Sequence, residues 1–106
     1  MWQELTKKGY EIQNKRILGN PLYTSKEARH KDLVQELALV QDWIKNTYNI
    51  YVAINPSSRG NTWWFIIYLY DNDDEYGWTS ELVLTKYDSS QKALIAGIEY
   101  TLNSLI

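Results

Sequence analysis

Leu33, Leu37, Val40 and Ile44 recur four, three and four residues apart. That spacing keeps them on one face of a helix and predicts one over residues 26–47. Val34 and Ala38 widen the stripe, while Asp32, Gln35, Glu36, Gln41 and Asp42 are expected largely off it. Thr24 and Glu27 have the spacing of a capping box at the start. Asn46 and Asn49 tolerate left-handed backbone and suit the exit. A second stripe, Leu94, Ile98, Leu102 and Leu105, flanked by Ala93, Gly97 and Thr101, predicts a helix over 90–105. Asp88, Ser89 and Ser90 form its N-cap region. Gly97 weakens that helix by about 1 kcal/mol relative to Ala. Close approach of the helix to a sheet would offset this cost.

Between the helices the period changes from helical to strand-like. Ile50, Val52 and Ile54 alternate with Tyr51, Ala53 and Asn55, which predicts a strand over 50–55. Pro56, Ser57, Ser58, Arg59, Gly60 and Asn61 are a dense turn signal. Residues 62–70 are aromatic and β-branched with no polar phase, as expected of a central strand. Trp63, Phe65, Ile67 and Leu69 share one face of it, and Trp64, Ile66, Tyr68 and Tyr70 share the other. A polar loop follows over 71–77, then a third strand over 81–87, with Leu82 and Leu84 opposite in phase to Val83 and Thr85.

The N-terminal pattern is sparser. Residues 2–8 read as a short helix ended by Gly9, residues 10–12 and 15–18 as a small hairpin across Gln13 and Asn14, and Gly19, Asn20 and Pro21 as a turn. The expected fold class is α+β: a small antiparallel sheet with two helices packed on one face. It is one domain over 1–106, made of an α-β-β-β-α core (26–106) and an N-terminal helix and hairpin element (1–25). Leu37, Val40, Ile44, Leu94, Ile98 and Leu102 should be mostly buried.

Composition narrows the chemistry. The 106 residues carry eleven Lys and Arg against thirteen Asp and Glu, a formal charge of −2, and 44% are apolar. Such a balance has no general attraction for nucleic acid or anionic lipid. There is no cysteine and one histidine. Thiolate sites and cysteine nucleophiles are therefore excluded, and a His-rich metal site or triad has almost nothing to be built from. Residues 1–10 hold no signal-peptide apolar stretch, and the longest apolar run, 63–70, falls far short of the roughly 20 residues of a membrane span. The expectation is a cytoplasmic protein with no membrane association.

Five Trp and nine Tyr dominate the remaining candidates. Tyr51, Trp64, Tyr68, Tyr70, Tyr76 and Trp78 lie in or beside the strands, and Arg59 lies in the first strand loop. Together they form the candidate binding surface, set against the simpler role of filling core in a chain with one Phe. The loop Asp71, Asn72, Asp73, Asp74, Glu75, Tyr76, Gly77 fails the calcium-loop template, which needs Gly sixth and Glu twelfth; here those places hold Tyr76 and Leu82. It reads as a solvated hairpin loop. His30, between Arg29 and Lys31, reads as part of an exposed helix face, with no carboxylate placed to orient it as a base. The loop from Pro56 to Asn61 could cradle a phosphate, but it lacks a nucleotide glycine pattern and reads first as a hairpin connection. No catalytic, metal or cofactor-binding residue emerges, and no enzyme activity is expected.

The helix, three strands, helix order is similar to that of double-stranded RNA-binding domains. Their basic cluster at the last helix is replaced here by Ser89, Ser90, Gln91, Lys92, Ala93 and Leu94, with a single Lys, so RNA binding stands only as a remote alternative. The chain also resembles a diffuse set of short uncharacterised phage and prophage proteins of gut bacteria. The motifs are Val40, Gln41, Asp42, Trp43, Ile44 leading into Ile50, Tyr51, Val52, and Tyr87, Asp88, Ser89 leading into Ala93, Leu94, Ala96, Gly97, Ile98, Glu99. This resemblance covers about residues 33–105 and implies a phage-type accessory protein with no carried-over catalytic residue.

Two functions follow as expectations. The first is a non-enzymatic accessory or inhibitor that binds a protein partner through an acidic, aromatic surface. The second is a small-ligand or nucleotide-binding protein using stacked aromatics. Helices on one face of three strands leave the other face open, an apolar patch larger than roughly a few hundred Å². Either the N-terminal residues Trp2, Tyr10, Ile12, Ile17, Leu22 and Tyr23 cover it, or a homodimer does.

Overall fold

The computed structural model describes residues 1–18, 26–58, 60–70, 78–82 and 85–106, with residues 16 and 78–82 described by their backbone. Its elements are α1 (Trp2–Lys7), a short 3-10 helix (Lys15–Leu18), α2 (Lys26–Tyr48), β1 (Ile50–Pro56), β2 (Trp63–Tyr70), β3 (Trp78–Leu82) and α3 (Ser90–Ser104). The strands form one antiparallel sheet in the order β1-β2-β3. This is the α+β arrangement expected of the pattern. The capping box at Thr24, the turn at 19–21 and the loop at 71–77 lie outside the described residues.

The helical stripes behave as their spacing requires. Leu37, Val40 and Ile44 of α2 and Leu94, Ile98 and Leu102 of α3 are buried. They meet Ile50, Val52, Phe65 and Ile67 on one face of the sheet. The choice of face follows from Gly97. A Cβ built there would stand 2.6 Å from Val52 Cγ1 and 3.1 Å from Phe65 Cγ. The missing side chain is what lets α3 press against the β1 and β2 residues of that phase.

Ser89 caps α3. Its extended backbone and its hydroxyl, which accepts from the Lys92 N–H at 3.1 Å, satisfy one of the free amides of the first turn. Replacing Ser89 by Ala should lower stability by about 1 kcal/mol; urea unfolding measures this directly. At the other junction, Asn49 takes φ 59. This single left-handed residue turns the chain from α2 into β1, and its carbonyl accepts from the Tyr70 N–H at 3.0 Å.

Three expectations require correction. The stripe of α2 widens on the opposite side from Val34 and Ala38, which are exposed; Asp32 and Glu36 are buried instead. The cause is the N-terminal segment, which packs along that flank and brings polar backbone that Glu36 satisfies. Residues 10–18 form no hairpin, because Glu36 takes the amides of Gln13 and Asn14 and the chain then enters the 3-10 helix. The third strand is placed too late. β3 runs over Trp78–Leu82, and the pairing returns only at Tyr87, which exchanges both backbone hydrogen bonds with Trp63 at 2.8 and 2.7 Å. Ile66 faces Leu82 while Trp63 faces Tyr87, so the register against β2 moves by two residues between these points.

Candidate functional site

The residues of the candidate surface sort by strand phase. With Phe65 and Ile67 turned to the helices, Trp64, Ile66, Tyr68 and Tyr70 point away from them, as do Tyr51, Ala53 and Asn55 of β1. Register places them in rows: Tyr51 opposite Tyr68, Ala53 opposite Ile66, Asn55 opposite Trp64. The Tyr51 and Tyr68 rings stack at 6.5 Å between centroids with an interplanar angle of 29°. At one end, Lys45 Nζ of α2 lies 4.4 Å from the Tyr70 ring centroid, a cation–π contact. At the other, the Trp64 indole N–H donates to the Pro56 carbonyl at 3.4 Å. From Trp64 to Tyr70 the row runs about 20 Å at the rise of an extended strand. Trp78 sits opposite Tyr70 by backbone register; Arg59 and Tyr76 lie outside the described residues.

Trp2, Tyr10, Ile12 and Ile17 do not cover this face. Tyr10 and Ile17 are buried, and Trp2 and Ile12 partly so, all in the layer formed by the helices. The expectation that they cover the aromatic face is therefore corrected; Leu22 and Tyr23 lie outside the described residues. Two polar demands hold the segment where it is. Lys8 Nζ donates to the Ile106 carbonyl at 2.8 Å. Glu36, 1% exposed, accepts from the Tyr10 hydroxyl, from the Gln13 N–H at 3.2 Å and from the Asn14 N–H at 2.6 Å.

Burial first, then the hydrogen bond to Glu36 and its negative charge, push the Tyr10 hydroxyl well above the ordinary tyrosine range. Tyr10 therefore stays a donor at all ordinary pH, and its ring packs edge-on against Trp43 at 5.5 Å. This cluster escaped the sequence reading. Its one signal is position: Glu36 stands three after Leu33 and four before Val40, on the flank of the stripe. A donor-saturated carboxylate of this kind fastens the N-terminal segment and offers no open proton-transfer site.

The remaining chemistry is dispersed. His30 lies on the exposed start of α2, 3.0 Å from the Gln91 side-chain amide of α3. Among the described residues no three His, Asp or Glu side chains gather as metal ligands, and no helix is long and apolar enough to cross a membrane. The β1 edge of the sheet is dressed. The Asn49–Tyr70 and Ser57–Thr62 hydrogen bonds fix the phase in which Ile50, Val52, Ile54 and Pro56 turn their backbone outward. Gln41 Nε2 donates to the Val52 carbonyl on that edge, and Trp64 to that of Pro56. On the aromatic face Tyr70 is exposed, while Tyr51, Trp64, Ile66 and Tyr68 are half-buried. No protein-family model, curated protein or solved structure matches the chain.

Proposed function

We propose that the protein works without catalysis, as an accessory or inhibitor of the phage type its motifs resemble, by binding a protein partner through the open face of the sheet. The observation that carries this reading is the row Tyr51, Trp64, Ile66, Tyr68 and Tyr70, turned away from the helices. Tyr and Trp give large, rigid contact area at low entropic cost and are the side chains that most often dominate interface energies. The β1 edge argues for the face itself. Its capped carbonyls discourage strand addition there, a competing mode of recognition. Tyr70 leads in sequence directly into Asp71, Asp73, Asp74 and Glu75. An apolar centre next to that acidic stretch fits a partner with an apolar patch flanked by Lys and Arg.

The test uses Tyr68→Glu, which places a charge at the centre of the row. A partner held by the wild type should bind at least about 30-fold more weakly, the scale of a central interface residue. Leu39→Glu, on the exposed side of α2, should leave binding intact. Binding that survives Tyr68→Glu would sink the reading. Sedimentation at micromolar concentration identifies the competing occupant: a dimer that Tyr68→Glu dissociates makes a second copy the partner.

A further inference from the structure

We propose that the end of the sheet beside the β1–β2 loop is a binding site for a phosphate-bearing ligand with a flat ring, the chemistry of a nucleoside monophosphate. The pairing of Trp63 with Tyr87 sets Lys86 opposite Trp64, on the same face of the sheet. Two adjoining cavities meet there, and both are lined by Ser57, Ser58 and Lys86. The first, of ≈ 290 Å³, is completed by Pro56 and the Trp64 ring. The second, of ≈ 500 Å³, is completed by Asn61 and Thr62. Their sizes fall in the range of small-ligand sites, roughly 300–1,000 Å³.

The lining decides the ligand class. The second cavity presents three hydroxyls, one amide and one ammonium, and among the described residues no carboxylate lines either cavity. Hydroxyls and an amide that can all donate, set around one ammonium, suit an acceptor-only anion. Lys86 makes no ion pair among the described residues. The nearest carboxylate in sequence, Asp88, is held by Lys92 at 3.0 Å. Two backbone hydrogen bonds tie the described ends of the loop together: Ser57 N–H donates to the Thr62 carbonyl at 2.8 Å and Gly60 N–H to the Ser57 carbonyl at 2.9 Å. The first cavity supplies the other half of the ligand. An indole held by its hydrogen bond to Pro56 is a stacking surface for a planar ring one cavity away from the anion.

The experiment is an NMR titration of the full chain with AMP, with adenosine and inorganic phosphate as half-ligands. AMP should give saturable shifts at the amides of Ser57, Ser58, Asn61 and Thr62 and at the Trp64 indole N–H. Each half-ligand should bind more weakly than AMP. Lys86→Ala should weaken AMP binding about tenfold or more, the loss of one charged hydrogen bond, and Trp64→Ala should weaken AMP but not phosphate. Tyr68→Glu, which lines neither cavity, should change neither, so this site and the protein-binding reading fail separately although they share Trp64. Absence of saturation at millimolar AMP, shifts elsewhere, or unchanged affinity in Lys86→Ala would overturn the proposal. Phosphate binding as tightly as AMP would overturn the ring half of it.

Discussion

Gly97→Val should cost several kcal/mol and leave a protein that no longer unfolds in one cooperative transition. The three added carbons enter a space where even a Cβ would lie 2.6 Å from Val52 Cγ1 and 3.2 Å from Phe65 Cβ. Neither neighbour can yield cheaply. Val52 is β-branched, stiff at χ1 and fully buried, and the Phe65 atoms are the root of its ring rather than a flexible tip. α3 must lift off the sheet, and Ile98 and Leu102 lose contact with it. Overpacking costs about 1–3 kcal/mol where the surroundings can shift and more where they cannot. Gly97→Ala is the sharper test, because helix propensity alone would raise stability by about 1 kcal/mol. A net loss on urea unfolding shows that the close approach outweighs propensity. A net gain would show that α3 does not need it.

The second large effect is expected at Glu36. Glu36→Ala leaves the Tyr10 hydroxyl and the amides of Gln13 and Asn14 without their acceptor. Hydrogen bonds to a charged group contribute about 1.5–3 kcal/mol each, so a loss of about 3 kcal/mol or more is expected. The loss should be local. Amide exchange at residues 10–14 should accelerate and Trp43 fluorescence should change, while α3 amides stay protected. Uniform loss of protection would mean that the segment is integral to the core. Glu36→Gln keeps one acceptor oxygen and should fall between the two. Tyr10 adds a pH signature. Its ionisation is pushed upward in the folded state, so above about pH 10 the unfolded chain releases a proton that the folded one retains. Stability is then unaffected below pH 10 and falls as pH rises beyond it. Tyr10→Phe should remove that alkaline decline.

These residues also show what a sequence can and cannot disclose. The burial of Leu37, Ile44, Ile98 and Leu102 was legible because a helical stripe is a local property, repeated over several turns. β1 and β2 were legible for the same reason, and their short connection left antiparallel pairing as the simple choice. The two phases of β2 were equally plain. Which of them meets the helices was not, since that depends on Gly97 docking against Val52 and Phe65, a contact across half the chain. The hairpin expected over residues 10–18 does not form, because the amides of Gln13 and Asn14 are satisfied by Glu36, more than twenty residues away. Alternation over 81–87 suggested one strand, but alternation carries no register, and the two-residue shift between Leu82 and Tyr87 is set by β2. At the site, Trp64, Tyr68 and the Ser57–Asn61 loop were visible as types. Lys86 was not, because only the pairing of Tyr87 with Trp63 brings it beside Trp64.

The turn at Asn49 bears on how the chain reaches this structure. One left-handed residue separates α2 from β1, and a short loop separates β1 from β2. Contacts among these three elements close small loops, which cost little chain entropy and form early. α3 reaches the same sheet only after the long excursion through β3. The kinetic expectation is a transition state with α2, β1 and β2 partly assembled and α3 still loose. Substitutions in α3 would then act mainly on the unfolding rate, and those around Asn49 mainly on the folding rate.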